Sequence, residues 1–261
     1  MNDPIIAHRH DSVVELRLNR PKAYNALDYE LLESFLSRLA EATFDKSVRG
    51  VVISAEGKAF CAGGDLRWAS SQPTGAPAAL HKLAGCFHQS VLEIRRMPKP
   101  VIAAIDGVAA GGGFSLALAC DFRVMSESAV LIQAYTSSGL SMDGSGTYAL
   151  PRLVGLAKAL EIAAFDEPIS AGKALEWGLV TRTAPPGHAL EEALFMARQL
   201  AQKALHSFGW SKRLLTDSFQ TPFETQMELE RKGIADCAAQ PDGEEGVRAF
   251  LEKRKPEFGR S

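Results

Sequence analysis

Two glycine-rich segments of this 261-residue chain could do chemistry with their backbone alone. Gly107-Val-Ala-Ala-Gly-Gly-Gly-Phe stands between an apolar strand ending at Ile105 and Ser115-Leu-Ala-Leu-Ala, which reads as a helix. Such a strand–glycine–helix junction exposes N–H groups at the positive end of a helix, where they hold an anion or a developing oxyanion. Ala59-Phe-Cys-Ala-Gly-Gly-Asp-Leu follows a strand-like run, Val51 to Ser54, and again leads into a helical stretch. Two such loops could converge on one site, although each cluster taken alone is more often ordinary turn chemistry. A dinucleotide-binding loop is the rival. Its Gly-x-Gly-x-x-Gly spacing is absent, and the junction comes late in the chain rather than at the first βα turn. Among side chains, Asp143 opens a glycine-containing turn before a helix, where a carboxylate by itself reads as an N-cap. His88 shares a helix face with Leu83, Phe87 and Val91, the setting of a hydrogen-bonded core histidine. His8, His10, His81, His188 and His206 have no metal-ligand spacing, so no metal site is expected.

The elements that must position these groups alternate along the chain. Ser12 to Leu18 alternates apolar and polar residues as a half-buried strand does, and Asn19-Arg-Pro breaks it. Asp28 reads as the N-cap of a helix carrying Leu31, Leu32, Phe35, Leu36 and Leu39. The β-branched runs at Val51 and Val101 each follow a helical segment, which argues for βαβ units and a largely parallel sheet. Ser70 to Pro77 reads as a mobile loop. Beyond Leu153 the pattern is mostly helical, notably Leu190 to Leu205 and Phe223 to Ala239. Composition limits the function: 29 basic against 31 acidic residues, net charge -2, gives no reason to expect nucleic acid or an anionic membrane. Cys61, Cys86, Cys120 and Cys237 are scattered, as in a reducing cytoplasm. Met1 to Asp11 has no signal-peptide core, and no apolar run is long enough to span a membrane.

Four segments together resemble the crotonase (enoyl-CoA hydratase/isomerase) superfamily. They are Asn19-Arg-Pro-Lys-Ala-Tyr-Asn-Ala-Leu, the loop at Ala59, the stretch from Pro98 through the Gly111-Gly-Gly run, and Phe250-Leu-Glu-Lys-Arg-Lys-Pro-Glu-Phe. The resemblance implies an α/β fold: a spiral of ββα units over residues 1–200, then a C-terminal α-helical trimerisation region over 201–261. It implies a homotrimer or a hexamer of paired trimers, and a cytoplasmic enzyme with no cofactor beyond the coenzyme A that carries the acyl group. It further implies that the amides of Gly64 and Gly112 form an oxyanion hole for the thioester. Lys22, Tyr24, Ala62, Gly63, Gly64, Asp65, Leu66 and Gly112 would contact the acyl-CoA, and Lys253 the phosphates on a neighbouring subunit. Trp68 would stand beside the acyl pocket.

The resemblance also ranks the possible reactions. Hydratases of the superfamily use two glutamates; here those positions hold Ser115 and Tyr135, which speaks against simple hydration. Isomerases carry their acid/base carboxylate where Asp143 stands, with Leu140, Met142 and Tyr148 expected around it. The phenylacetate-pathway isomerases are similar also at Ala174-Leu-Glu-Trp-Gly-Leu-Val and Thr225-Gln-Met-Glu-Leu-Glu-Arg. Aryl-CoA dehalogenases match at three positions, with Asp143 as nucleophile, an aromatic residue at Tyr135 and His88 as base, but have a bulky aromatic where Gly64 stands. A binder that has lost the hydratase glutamates is the third reading. The expected function is therefore double-bond isomerisation of an enoyl-CoA.

Overall fold

The structure, a computed structural model, describes residues 3–259, so Met1, Asn2, Arg260 and Ser261 of the expected segments lie outside the described residues. The chain opens with an antiparallel pair, β1 (Ile5–His10) and β2 (Val13–Leu18), followed by helix α1 (Tyr29–Phe44). Asp28 caps α1 as its type predicts, its carboxylate accepting the Leu31 N–H at 2.9 Å. Leu31, Leu32, Phe35 and Leu39 are fully buried on the inner face of α1.

Three ββα turns follow. The first has β3 (Gly50–Ala55), β4 (Ala59–Cys61) and helices α2 (Leu66–Ser71) and α3 (Ala76–Arg96). The second has β5 (Val101–Ile105), β6 (Val108–Ala110) and α4 (Gly112–Ala119). The third has β7 (Phe122–Ser126), β8 (Val130–Ile132) and α5 (Gly146–Val154). After α6 (Leu156–Phe165) come β9 (Ile169–Ser170), α7 (Ala171–Glu176), β10 (Arg182–Ala184) and α8 (Ala189–Ala201). Helices α9 (Leu205–Asp217), α10 (Phe223–Ala238) and α11 (Pro241–Leu251) complete the described chain.

Each turn sends its first strand to a six-stranded sheet, ordered β1-β2-β3-β5-β7-β10, and its second to a four-stranded sheet, ordered β4-β6-β8-β9. All pairings are parallel except β1–β2 and β8–β9. This is the spiral of ββα units that the resemblance implies. Strands β3 and β5 are nearly continuous apolar runs because both sheet faces are covered. Helices α1 and α3 lie against one side of the chain's main core; α8 covers the other face of the large sheet, setting Ala189, Ala193 and Ala197 against Val52, Ile102 and Val124. Among the described residues no helix is long and apolar enough to cross a membrane.

Two expectations are corrected. The loop read at Ser70 to Pro77 is only four residues, 72–75, because Gly75 takes a left-handed turn and Pro77 sits in the first turn of α3, where its missing N–H is harmless. The helical stretch expected from Leu190 to Leu205 is interrupted at 202–204, so α8 and α9 are separate helices.

Helix α9 is fastened by one buried ion pair. Lys212 Nζ lies 2.8 Å from Asp121 Oδ2 and donates also to the Ile94 carbonyl at 2.8 Å, while Asp121 accepts the Val101 N–H at 2.9 Å. Removing one partner strands the other charge where water hardly reaches. Lys212→Met is expected to destabilise the protein by about 3–5 kcal/mol in denaturant unfolding. Lys212→Met combined with Asp121→Asn should recover much of that loss; a single variant as stable as wild type would show the pair to be dispensable.

Candidate active site

Strands β4, β6 and β8 lie side by side and point the same way, so the segments that leave their carboxyl ends meet at one edge of the small sheet. Those segments are the Ala62-Gly-Gly loop, the Gly111-Gly-Gly loop and the stretch from Gln133 to Ser145. Convergence of the two glycine clusters is thus a consequence of strand pairing. Gly63 has φ +97°, and a β-carbon there would come within 3.0 Å of the Ala110 carbonyl and 3.1 Å of the Gly112 amide nitrogen. A β-carbon on Gly113 would lie 2.1 Å from the Cys61 carbonyl oxygen. Only glycine lets the two backbones approach this closely.

The Asn19 to Leu27 segment holds the first loop in place. Ala62 N–H donates to the Tyr24 carbonyl, Leu27 N–H to the Gly63 carbonyl and Asp65 N–H to the Leu27 carbonyl, at 3.0, 2.7 and 2.8 Å. The groups flanking Gly64 are therefore committed, while Gly64 N–H has no acceptor among the described residues. Gly112, as the first residue of α4, offers an N–H with no intrahelical acceptor. Arg20 braces this arrangement: its Nη2 lies 2.9 Å from Asp28 Oδ2 and 3.1 Å from Asp65 Oδ2, and its Nη1 donates to the Ala26 carbonyl. Both aspartates are helix caps, Asp28 for α1 and Asp65, through the Trp68 N–H, for α2. Buried Asn25, in the left-handed region at φ 55°, donates to the Glu56 and Ala59 carbonyls.

Asp143 does not cap a helix. Helix α5 starts at Gly146 after Ser145, and the Asp143 carboxylate turns the other way, toward α4 and α3. Its Oδ1 accepts the Tyr135 hydroxyl at 2.6 Å, and that hydroxyl lies 3.1 Å from Ser115 Oγ. Burial and the neighbouring Asp143 charge push the Tyr135 hydroxyl far above the ordinary phenol range, so its proton stays on oxygen. With that proton directed at Asp143, Ser115 is the donor of the second bond. His88 is half exposed on α3, contrary to the core placement expected for it. Its Nε2 accepts the Gly144 N–H at 3.2 Å and lies 3.7 Å from Asp143 Oδ2. Tyr148, expected near Asp143, instead points to α9, its hydroxyl donating to the Thr216 carbonyl at 3.1 Å, because it sits on the far side of α5.

A cavity of about 320 Å³ opens over these groups. Of the residues singled out from sequence, Ala62, Gly63, Gly64, Leu66, Gly112, Tyr135 and Asp143 line it. Lys22, Tyr24, Asp65, His88 and Lys253 do not; Asp65 is occupied as a cap, and Lys22 and Lys253 are exposed. Trp68 packs on the main core rather than into the cavity. Sequence reasoning did not assign to the cavity the α3 residues Leu80, His81, Leu83, Ala84 and Phe87, although Leu80, Leu83, Ala84 and Phe87 have the i, i+3, i+4, i+7 spacing of one helix face. It also missed Arg20, whose role depends on aspartates 8 and 45 positions away. Among the lining residues Asp143 is the sole carboxylate.

The described geometry has counterparts among known proteins. A sequence model of the family described as Enoyl-CoA hydratase/isomerase matches residues 8–261. The chain is 34% identical over 259 residues to a 1,2-epoxyphenylacetyl-CoA isomerase of Escherichia coli (strain K12), covering 99% of each protein. It is 31% identical over 244 residues to 4-chlorobenzoyl coenzyme A dehalogenase-2 of Arthrobacter sp, covering 93% of this chain and 88% of that one. The crystal structure of an enoyl-CoA hydratase from Polaromonas sp. JS666 superposes with a TM-score of 0.92 at 38% identity, covering 97% and 98% of the two chains.

Loss of the Arg20 brace would leave two partly buried caps unpaired and release the loop that carries Gly64. Arg20→Ala is expected to cost about 2–3 kcal/mol in unfolding free energy, the range for hydrogen bonds to charged groups. Turnover at saturating substrate should fall as well. Unchanged stability and turnover together would exclude the brace.

Proposed function

The chain belongs to the enoyl-CoA hydratase/isomerase family, and from that premise we propose that it is an acyl-CoA double-bond isomerase in which Asp143 is the acid/base. The observation that carries this reading is the lone carboxylate at Asp143 in a cavity edged by the Gly64 and Gly112 amides, with Ser115 and Tyr135 at the two positions where hydratases carry glutamates. In the proposed cycle the thioester oxygen of a 3-enoyl-CoA accepts from the two N–H groups. Asp143 takes the α-proton, the electron pair moves onto the thioester oxygen as a dienolate, and Asp143 returns the proton at the γ-carbon to give the 2-enoyl-CoA. Fixed N–H dipoles suit the middle of this sequence because they stabilise the oxyanion without reorganising. One carboxylate serves both proton transfers. Acyl-CoA is the substrate, and no other cofactor is proposed. The exposed Lys22 beside Tyr24, and Lys253, are proposed contacts for the coenzyme phosphates. Leu215, Phe219, Phe223, Ile234 and Phe250, all exposed on or between the last helices, support assembly as a trimer or hexamer through residues 201–261.

A dehalogenase-like reading draws on the short distance between His88 and Asp143. The Gly144 N–H occupies the Nε2 lone pair that a base would need, and Gly64 leaves out the aromatic wall of that enzyme class. One experiment separates the readings. Wild type and Asp143→Asn are incubated with a 3-enoyl-CoA and, in parallel, with 4-chlorobenzoyl-CoA, and products and adducts are read by mass spectrometry. The expected result is 2-enoyl-CoA from wild type and a loss of about 100- to 10,000-fold in Asp143→Asn, the usual contribution of a general acid/base. Halide release with an aryl-enzyme ester would replace isomerisation by dehalogenation.

A further inference from the structure

We infer that Ser115 and Tyr135 form a two-link hydrogen-bond donor chain that orients the Asp143 carboxylate, committing Oδ1 to Tyr135 and leaving Oδ2 to carry the substrate proton. The inference rests on the isomerase reading above and adds to it two positioning residues. Ser115 Oγ donates to the Tyr135 hydroxyl across 3.1 Å, and Tyr135 donates to Asp143 Oδ1 across 2.6 Å. Both donors are buried, Ser115 at 0% exposure and Tyr135 at 8%. Ser115 stands in the middle of α4, the same helix whose first residue supplies the Gly112 amide, and Tyr135 comes three residues after the end of β8. The chain of bonds therefore ties Asp143 to the helix that carries one oxyanion donor.

That tie matters because Asp143 itself lies outside regular structure. The segment 139–145 contains left-handed residues at Gly139, Gly144 and Ser145 and belongs to no helix or strand, and the Asp143 side chain is one-third exposed. Without a tether the carboxylate would sample several rotamers and reach water. Among the described residues, Oδ2 accepts no hydrogen bond: His88 Nε2 is 3.7 Å away and already accepts from Gly144. Proton transfer then balances simply. The Cα–H bond breaks as an O–H bond forms on Oδ2, the electron pair moves to the thioester oxygen, and the reverse transfer to Cγ restores the carboxylate. Ser115 and Tyr135 neither gain nor lose a proton in the cycle. The two residues that replace hydratase glutamates are on this view a functional pair: neutral donors that hold one carboxylate still, where acceptors would have held a water.

The test uses full-length wild type, Asp143→Asn, Tyr135→Phe and Ser115→Ala, assayed with a 3-enoyl-CoA in H₂O and in D₂O, with melting temperatures taken alongside. Tyr135→Phe keeps the ring and its packing, and Ser115→Ala is a milder second probe. Removing the bond to a charged acceptor is expected to lower kcat on the order of 10- to 100-fold in Tyr135→Phe, and removing the neutral bond about 5-fold in Ser115→Ala, with KM unchanged in both. A carboxyl freed to meet water should also exchange its proton, so solvent deuterium at the γ-carbon of the product rises in Tyr135→Phe, an effect that loss of stability alone does not produce. If Asp143→Asn is inactive while Tyr135→Phe keeps wild-type kcat and deuterium content, the positioning role is overturned and the isomerase reading stands. If Asp143→Asn isomerises normally, the acid/base assignment fails and the donor chain fails with it.

Discussion

Parallel pairing of β4, β6 and β8 is the constraint on which the site depends. Each strand is only three residues long, yet the two ladders between them set three segments, from different ββα turns, next to one another. In open α/β sheets the carboxyl ends of parallel strands are where loops and helix N-termini gather, so backbone amides and their dipoles collect there without any single loop having to form a pocket. The glycines answer a packing demand first. Gly63 and Gly113 let neighbouring backbones come within contact distance, and Gly64 and Gly112 both line the cavity.

Around that ladder the protein spends its polar groups on holding loops still. Arg20 joins the caps of α1 and α2, Asn25 ties its own turn to the carbonyls of Glu56 and Ala59, and three backbone bonds lace residues 24–27 to residues 62–65. None of these groups need touch substrate. Their common effect is to fix amide directions before any charge develops, which is the condition under which a hydrogen-bond donor lowers a barrier rather than merely binding tightly. Further from the site, the Lys212–Asp121 pair does comparable work for the last helices, tying α9 to the start of β5 through the Val101 amide.

Side-chain chemistry in the cavity is sparse, and sparseness is informative. Leu27, Leu66, Leu140 and the α3 residues Leu80, Leu83, Ala84 and Phe87 make most of the wall, and the polar side chains that line it are Asp143, Tyr135, His81, Ser138 and Ser141. Asp143 is the sole carboxylate lining the cavity, and Tyr135, with Ser115 behind it, is its neutral hydrogen-bond partner. Backbone amides at a cavity edge do not vary with side-chain identity, so the side chains around them can change while the amides stay.

The sequence by itself determined the helical and strand character of most segments, the Asp28 cap, the glycine junctions and, through the resemblance of four motifs, the family. These are local properties: a cap, an apolar period or a glycine run is written in a few consecutive residues. Tertiary structure alone decided how Asp143, His88, Tyr148 and Arg20 are used. As a local feature Asp143 reads as a cap, but it faces Tyr135 because β8 and α4 bring Tyr135 and Ser115 together. His88 leaves the core, and Tyr148 turns to α9, because helix orientation selects which face of each helix meets the cavity. Arg20 bridges Asp28 and Asp65 across 45 positions of chain. Partnerships over such separations depend on sheet order and helix placement, which no window of neighbouring residues encodes.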